Sequence, residues 1–476
     1  MKKHLFINGV WKEAAEYLVL TSPYTGEAIA EVAQANESET EEAIQAAAAA
    51  SSQMAKMPAH ERAAILDNVT IIMERRKEEL VRLLALEAAK PVKTARGEIA
   101  RTIQTYKFAA MEARRIHGET VPVDAAPGGE GRLAFTMRKP IGVVGAITPF
   151  NFPFNLVAHK VGPAIAAGNT VILKPASQTP LSSLVLGEIF EEAGLPAGAL
   201  NIVPGKGSVV GEKLVRDPRI AAITFTGSPE VGIALKNKAG LKRVTLELGS
   251  NSALIIDQTV ELTKELIDRC VLGTFSFSGQ VCISIQRILV HENSYEEFIT
   301  KFKAAVDKLV VGDPLDEATD MSAMIAEKEV TRMEQWVSAA VSRGAKVVSG
   351  GKAVSSRVFA PTILTDVPSD EPVSCQEVFG PIGTVSSFGT LDEAIREVNN
   401  SRYGLQAGIY TNDIHAAMRA AEELEVGGVM INDFPTFRVD NMPYGGLKES
   451  GFGREGIKYA VEEMTELKLI VIKLKP

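Results

Sequence analysis

Three short stretches of the chain carry residue types that could do chemistry. Ser276-Phe277-Ser278-Gly279-Gln280-Val281-Cys282 sets a cysteine behind a glycine-containing turn. A thiol held exposed in that way is a nucleophile once its pKa is lowered or a base stands nearby. Phe225-Thr226-Gly227-Ser228-Pro229-Glu230-Val231-Gly232 runs from a strand through a glycine turn into a helix, and such a helix start offers free N–H groups and a positive dipole end to a phosphate. Thr148-Pro149-Phe150-Asn151-Phe152-Pro153 follows an apolar strand, at the edge where ligands sit in open α/β sheets. Its prolines fix the local backbone and could aim the Asn151 amide. Taken singly, each stretch also has a plainer reading: a buried structural cysteine, a common glycine turn, a proline-stiffened loop.

The elements that must position these residues follow from periodicity. The first third reads helical. Ser38-Glu39-Thr40-Glu41 has the form of a capping box, followed by an alanine-rich helix to about Met57. A helix over Glu61 to about Lys90 has Ile65, Val69, Ile72, Leu80, Leu83 and Leu84 on one face, and a third runs from Glu98 to about His117. Leu133, Phe135 and Met137 alternate with polar or small residues as a half-exposed strand ending at Pro140. Short apolar strands then alternate with helices: Ile141–Thr148, Thr170–Lys174, Ala199–Val203, Ala221–Thr226 and Val244–Leu248, with helices at Pro180–Ala193 and Ser208–Val215. A second series follows Gly249: Ala253–Ile256, Arg287–Val290, Lys346–Ser349, Thr384–Phe388, Ala407–Tyr410 and Val429–Asn432. Apolar strands alternating with helices predict parallel sheets covered on both faces, here two α/β domains dividing near Gly249-Ser250. Leu467–Leu474 is a late strand beyond both.

Composition narrows the function classes. The chain has 476 residues, 46% hydrophobic and 23% charged, with a net charge of −8, which fits a multidomain globular protein and argues against nucleic acid as a partner. No apolar run approaches a membrane span. Three cysteines, Cys270, Cys282 and Cys375, do not make a disulfide framework and fit a reducing, cytoplasmic setting. Cys270 and Cys375 read as bystanders.

Together the three stretches, with Lys174-Pro175-Ala176, Gln178-Thr179-Pro180, Glu247-Leu248-Gly249, Glu377-Val378-Phe379-Gly380-Pro381 and Pro443-Tyr444-Gly445-Gly446-Leu447-Lys448 followed by Ser450-Gly451, make a set in order and at separations that resemble the aldehyde dehydrogenase superfamily over essentially the whole chain. The resemblance implies a Rossmann-like dinucleotide-binding domain (1–121 and 142–248), an α/β catalytic domain (249–446) and a small β oligomerisation arm (122–141 and 460–476). It implies NAD or NADP as cofactor, a small aldehyde as substrate, and a homo-oligomer, dimer or tetramer. Cys282 would attack the aldehyde, with the Asn151 amide and the Cys282 N–H holding the oxyanion. The adduct would pass hydride to the nicotinamide, leaving a thioester for water activated by Glu247 to hydrolyse. Glu377 would bind the nicotinamide ribose with Phe379 beside it, Lys174 the adenosine ribose, and Ser228 with its helix start the pyrophosphate. Thr148, Pro149, Phe150, Ala176, Gly207, Gly211, Phe225, Thr226, Gly227, Val231, Leu248 and Gly249 would complete the cofactor site, with no metal. Ser177 stands where many NAD-preferring relatives place a glutamate that would repel a 2′-phosphate, so NADP is admitted.

For the substrate, Arg101 and Arg438 match a branch of the family acting on lactaldehyde, sulfolactaldehyde, phosphonoacetaldehyde and, without phosphorylation, glyceraldehyde 3-phosphate. Val281 replaces an arginine that often precedes the nucleophile in relatives taking anions. That leaves two arginines and favours a singly charged or neutral aldehyde over a dianionic phosphate. Succinate or methylmalonate semialdehyde stays open. So does a cysteine hydrolase or acyltransferase, although none of the six histidines shares a motif with Cys282.

Overall fold

Strands that are apolar on both faces need cover on both sides, and they have it in the computed structural model, which describes residues 1–474. Five pair in parallel in the spatial order Arg243–Glu247, Ile220–Thr226, Val143–Ile147, Thr170–Lys174, Leu200–Ile202. Val143–Ile147, first in the chain, lies in the middle. The chain winds outward to one side, then returns to the other. Where it reverses, between Val143–Ile147 and Ile220–Thr226, the strand ends open a crevice flanked by Thr148 and Thr226. Gly451–Phe452 closes one edge of this sheet antiparallel, and Leu5–Ile7 with Val10–Lys12 extends the other. The helix Asn155–Ala167 beneath is buried along its entire length. A side chain at its Gly162 would meet the Ala109 methyl at 3.2 Å, so glycine lets Val92–Ala113 cross close by.

A second sheet has the order Lys346–Ser349, Thr362–Thr365, Ile382–Phe388, Arg287–His291, Ala253–Ile256, Gln406–Tyr410, Gly428–Ile431, parallel except at Lys346–Ser349. Thr120–Val121, Arg132–Pro140 and Thr465–Lys473 form a third, antiparallel sheet, with Thr465 opposite Pro140 and Lys473 opposite Arg132. The helix Ile457–Glu463 packs into the core of the first unit through Ile457 and Val461. The strand that pairs with Arg132–Pro140 begins after this helix, at Thr465.

Several expectations need correction. The first third is not wholly helical. Leu5–Ile7 and Val10–Lys12 form a hairpin through Asn8-Gly9, both at positive φ (53° and 73°), the requirement of a tight two-residue turn. Glu16–Thr21, Ala28–Gln34 and Lys2–Lys3 make a small sheet beside it. The first helix, Glu37–Lys56, is capped by Asn36, not Ser38. The Asn36 side chain accepts from Ser38 and Glu39 N–H while Glu39 accepts from Asn36 N–H. The helix expected over 61–90 is two, Ala59–Arg75 and Lys77–Ala88, broken at Arg76, whose φ/ψ of −94°/9° leaves the helical basin. The next begins at Val92 behind Pro91 and ends at Ala113.

Candidate active site

The loop that presents Cys282 is bent before it arrives. Phe277, Ser278 and Gly279 are left-handed in succession (φ 49°, 54° and 69°), a conformation that side-chain-bearing residues hold only when neighbours fix it. Ser278 Oγ donates to Ser322 O at 2.9 Å, and the Gln280 side chain accepts from Ile325 N at 3.0 Å. At Gly279 an added Cβ would fall 2.1 Å from Gly380 O. Only glycine passes. Cys282 emerges with Sγ 3.0 Å from Tyr444 Oη. Burial pushes its thiol up to about 11, against the opposing pull of the Tyr444 hydroxyl and the Arg438 charge.

Asn151 comes from the other sheet, on the loop after Val143–Ile147. Its amide donates one N–H to Gln280 O at 3.0 Å, and its oxygen is buried without a partner. The second amide N–H has no protein acceptor. Glu247 ends the edge parallel strand. Both its carboxylate oxygens are buried and unpartnered, and burial together with the nearby Glu455 carboxylate raises its pKa well above the usual range. Lys160 and Arg438 pull the other way. Glu247 lines neither cavity at Cys282; it lies behind the wall, with Gly445 so near that a Cβ there would stand 3.1 Å from Oε1.

Two cavities meet at Cys282. The larger, about 950 Å³, runs along the strand ends of the first sheet. Its walls include Thr148, Pro149, Phe150, Lys174, Ala176, Gly207, Gly211, Phe225, Thr226, Gly227, Ser228, Val231, Leu248, Gly249, Glu377 and Phe379. Ser177 is absent from the walls; Gln178 is present. Lys174 is buried with its pKa lowered to about 8 by desolvation, its ammonium donating to Pro175 O. Glu377 accepts from Ser250 N at 2.9 Å and is pushed up to about 7 by burial. A Cβ on Gly249 would strike the Glu377 carboxylate at 2.5 Å. Phe379, at φ 47°, meets Phe150 edge-on at 5.8 Å. Ser228 caps the helix Pro229–Lys238. At Gly232 a side chain would collide with Leu248 at 2.4 Å, so glycine seats that helix against the sheet.

The smaller cavity, about 310 Å³, has Arg101, Phe152, Arg269, Thr436, Arg438 and Tyr444 in its wall. Each of the two expected arginines is held by a carboxylate. Arg101 donates to Asp440 at 2.8 Å, and Asp440 also pairs with His159 at 2.9 Å. Arg438 donates to Glu455 at 3.1 Å and lies 3.6 Å over the Tyr444 ring. The Nε atoms of both are buried without a partner. The count of two is corrected by Arg269, on the helix Lys264–Phe275. It pairs with Asp433 and lies 4.0 Å over the Phe434 ring. In the sequence it sits beside Cys270 on a helix whose pattern signals only core. Arg269, Tyr444 and Gln178 are among the lining residues to which sequence reasoning gave no role; Tyr444 and Gln178 stood in quoted motifs.

A dinucleotide-type sheet faces a second α/β unit, and the Cys282 thiol stands where two cavities meet, an arrangement with room for two small molecules at one cysteine. The aldehyde dehydrogenase family profile matches residues 11–470. The chain is 48% identical over 472 residues to the 3-sulfolactaldehyde dehydrogenase of Priestia aryabhattai, covering 99% of this chain and 98% of that one. It is 40% identical over 475 residues to the lactaldehyde dehydrogenase of Methanococcus aeolicus, covering 99% and 100%. The solved structure of aldehyde dehydrogenase 21 from Physcomitrella patens, in complex with the reaction product succinate, superposes with a TM-score of 0.97 at 43% identity, covering 99% and 98%. This chain belongs to the aldehyde dehydrogenase family, a family of oxidoreductases.

Proposed function

We propose that the protein oxidises a small 2-hydroxylated or anionic aldehyde to its carboxylic acid, with NAD or NADP as acceptor and Cys282 as nucleophile. The observation that carries the reading is the presence of Cys282 in the walls of both cavities. Lys174, Glu377, Phe379 and the cap of Pro229–Lys238 suit a dinucleotide in the larger one, where Thr226 Oγ1 is buried without a partner. Gly249 leaves the Glu377 carboxylate the space to lie there. When bound, that group supplies the acceptor for the hydride lost by the aldehyde carbon. The chain's residues do the rest. Cys282 Sγ gives its proton to water and bonds to the carbonyl carbon as the carbonyl π pair moves onto oxygen, and the free Asn151 N–H meets that oxyanion; losing one such donor costs about 3–4 kcal/mol. After oxidation Glu247 swings from behind the wall to take a proton from water, which releases the acid. Burial and the nearby Glu455 carboxylate raise its pKa, which makes its ionised form a stronger base.

Arg101, Arg269 and Arg438 favour an anionic group at the far end of the aldehyde, as in sulfolactaldehyde or a succinate semialdehyde. A second reading has its own observation: each arginine already has a carboxylate partner, which suits a neutral lactaldehyde-like substrate. Rates with sulfolactaldehyde, succinate semialdehyde, lactaldehyde and a neutral alkyl aldehyde, each with NAD and NADP, separate the two. No reduced nicotinamide with any of them would sink the enzyme assignment.

We also place the protein in the cytoplasm, on its three free cysteines. It assembles as a homo-oligomer through the arm, where Leu467, Leu469, Val471 and Ile472 are each 45% or more exposed beside Leu133 and Met137. Among the described residues no helix is long and apolar enough to cross a membrane.

A further inference from the structure

Lys90 and Glu98 are wholly buried charges outside the chemistry set out above. Lys90 is turned inward by Ala89, whose φ of 50° ends the helix Lys77–Ala88 in a left-handed cap. Glu98 backs the smaller cavity from Val92–Ala113. Their head groups are hydrogen-bonded. An apolar pair of the same volume would serve stability as well or better, so the contacts beyond the pair carry the meaning.

Those contacts go to the two loops that must meet. Lys90 Nζ donates to Asn151 O at 2.6 Å. Glu98 Oε1 accepts from the N–H groups of Phe154 at 3.0 Å and Asn155 at 3.3 Å. The ammonium also lies 3.8 Å from the ring centre of Phe152 and 4.3 Å from that of Phe277, both within cation–π range. Phe152 belongs to the Asn151 loop. Phe277 is the first left-handed residue of the Cys282 loop. One ion pair therefore grips the oxyanion loop by three backbone groups and a ring, and the nucleophile loop by the ring at its strained bend.

We propose that Lys90 and Glu98 are positioning residues that set the Asn151 amide and the Cys282 loop in a single register. The proposal rests on the aldehyde dehydrogenase reading. Its test compares Lys90→Met, Glu98→Gln and the double variant K90M/E98Q. The double variant leaves no unpaired charge and keeps an acceptor for Phe154 and Asn155. It is expected to melt near the wild type, while each single variant melts lower. Its single-turnover rate of nicotinamide reduction should nonetheless fall about 10- to 100-fold, the loss that a displacement of about 1 Å brings, with KM for the aldehyde little changed. In an Asn151→Ala background the same double change should cost clearly less than in the wild type, since one of the two groups it sets in register is gone. A full rate in K90M/E98Q, or equal losses in both backgrounds, overturns the proposal. If the double variant does not fold, Glu98→Gln alone is compared in the two backgrounds by the same criterion. A wild type that reduces neither nicotinamide overturns the enzyme reading instead. The positioning role is then decided by iodoacetamide alkylation of Cys282, expected several-fold faster in the variants, with an unchanged rate overturning it.

Discussion

At the scale of single residues, Cys282 and Glu247 divide the work in the proposed reaction, and their variants should fail differently. Cys282→Ser should abolish turnover. Glu247→Gln should leave a burst of reduced nicotinamide and slow steady turnover, because the acyl group forms but waits for water. An undiminished steady rate in either removes the assignment. The thiol, pushed up to about 11 by burial, is mostly protonated at neutral pH, and its reactivity rises with pH towards that value. Tyr444 opposes the upward push through its hydroxyl, 3.0 Å from Sγ. Tyr444→Phe removes a hydrogen bond to a charged group, worth about 1.5–3 kcal/mol, or roughly one to two pH units. Alkylation of Cys282 at pH 8 should slow about 10- to 100-fold and the pH profile should move upward. The arginines are best tested unequally. Arg438→Ala would leave the buried Glu455 with Lys160, 2.7 Å away, as its remaining salt-bridge partner and would lower the stability of the fold. Arg101 and Arg269 are about a third exposed and make cleaner probes. Their alanine variants should lower kcat/KM for an anionic aldehyde by about 10- to 150-fold and leave a neutral aldehyde of equal length nearly unchanged.

At the scale of elements, the proposal that NADP is admitted rests on the turn after Thr170–Lys174. Ser177 does not reach the cavity wall and Gln178 does, so the charge test belongs on both. A glutamate at whichever residue reads the 2′ position should depress kcat/KM for NADP and spare NAD; equal effects on both cofactors at both positions would discard the idea. The same turn shows what local sequence can tell. Its strand was legible because burial on both faces leaves the apolar run Val171–Leu173, flanked by Thr170 and Lys174 and bounded by Asn169 and Pro175. The loops carrying Asn151 and Ser228 were legible because each is short, glycine- or proline-marked, and attached to such a strand; Cys282 follows a glycine turn after the helix Lys264–Phe275, and Glu247, at a strand end, took its expected role from the family resemblance. The Asn8-Gly9 hairpin passed unread although its turn dipeptide is visible, because strands of three residues show no period. Arg269, and the grip of Lys90 on Asn151, were not legible because they depend on partners 164 and 61 residues away. No periodicity encodes such distances.

At the scale of the whole molecule, the arm is the feature without a purpose in a lone chain. The nine residue pairs between Arg132–Pro140 and Thr465–Lys473 set apolar side chains on both faces, among them Leu133, Met137, Leu467, Leu469, Val471 and Ile472, and such a ribbon is marginal in water until another surface covers it. Light scattering at micromolar concentration should report a dimer or tetramer. Charges at Leu467 and Leu469 should shift the population to smaller species, with a lower Tm that depends on protein concentration. A monomer in the unmodified protein would contradict the assembly.

The meeting of two cavities at one sulfur also governs how the acid departs. Oxidation turns a neutral carbonyl into a carboxylate beside Arg438, in the compartment that already holds Arg101 and Arg269. The product leaves with one more negative charge than the substrate brought in, past the same guanidinium groups. Those groups therefore retain product more strongly than substrate. Accumulating acid should slow the enzyme by competing with aldehyde, while the dinucleotide, served by its own opening, exchanges undisturbed.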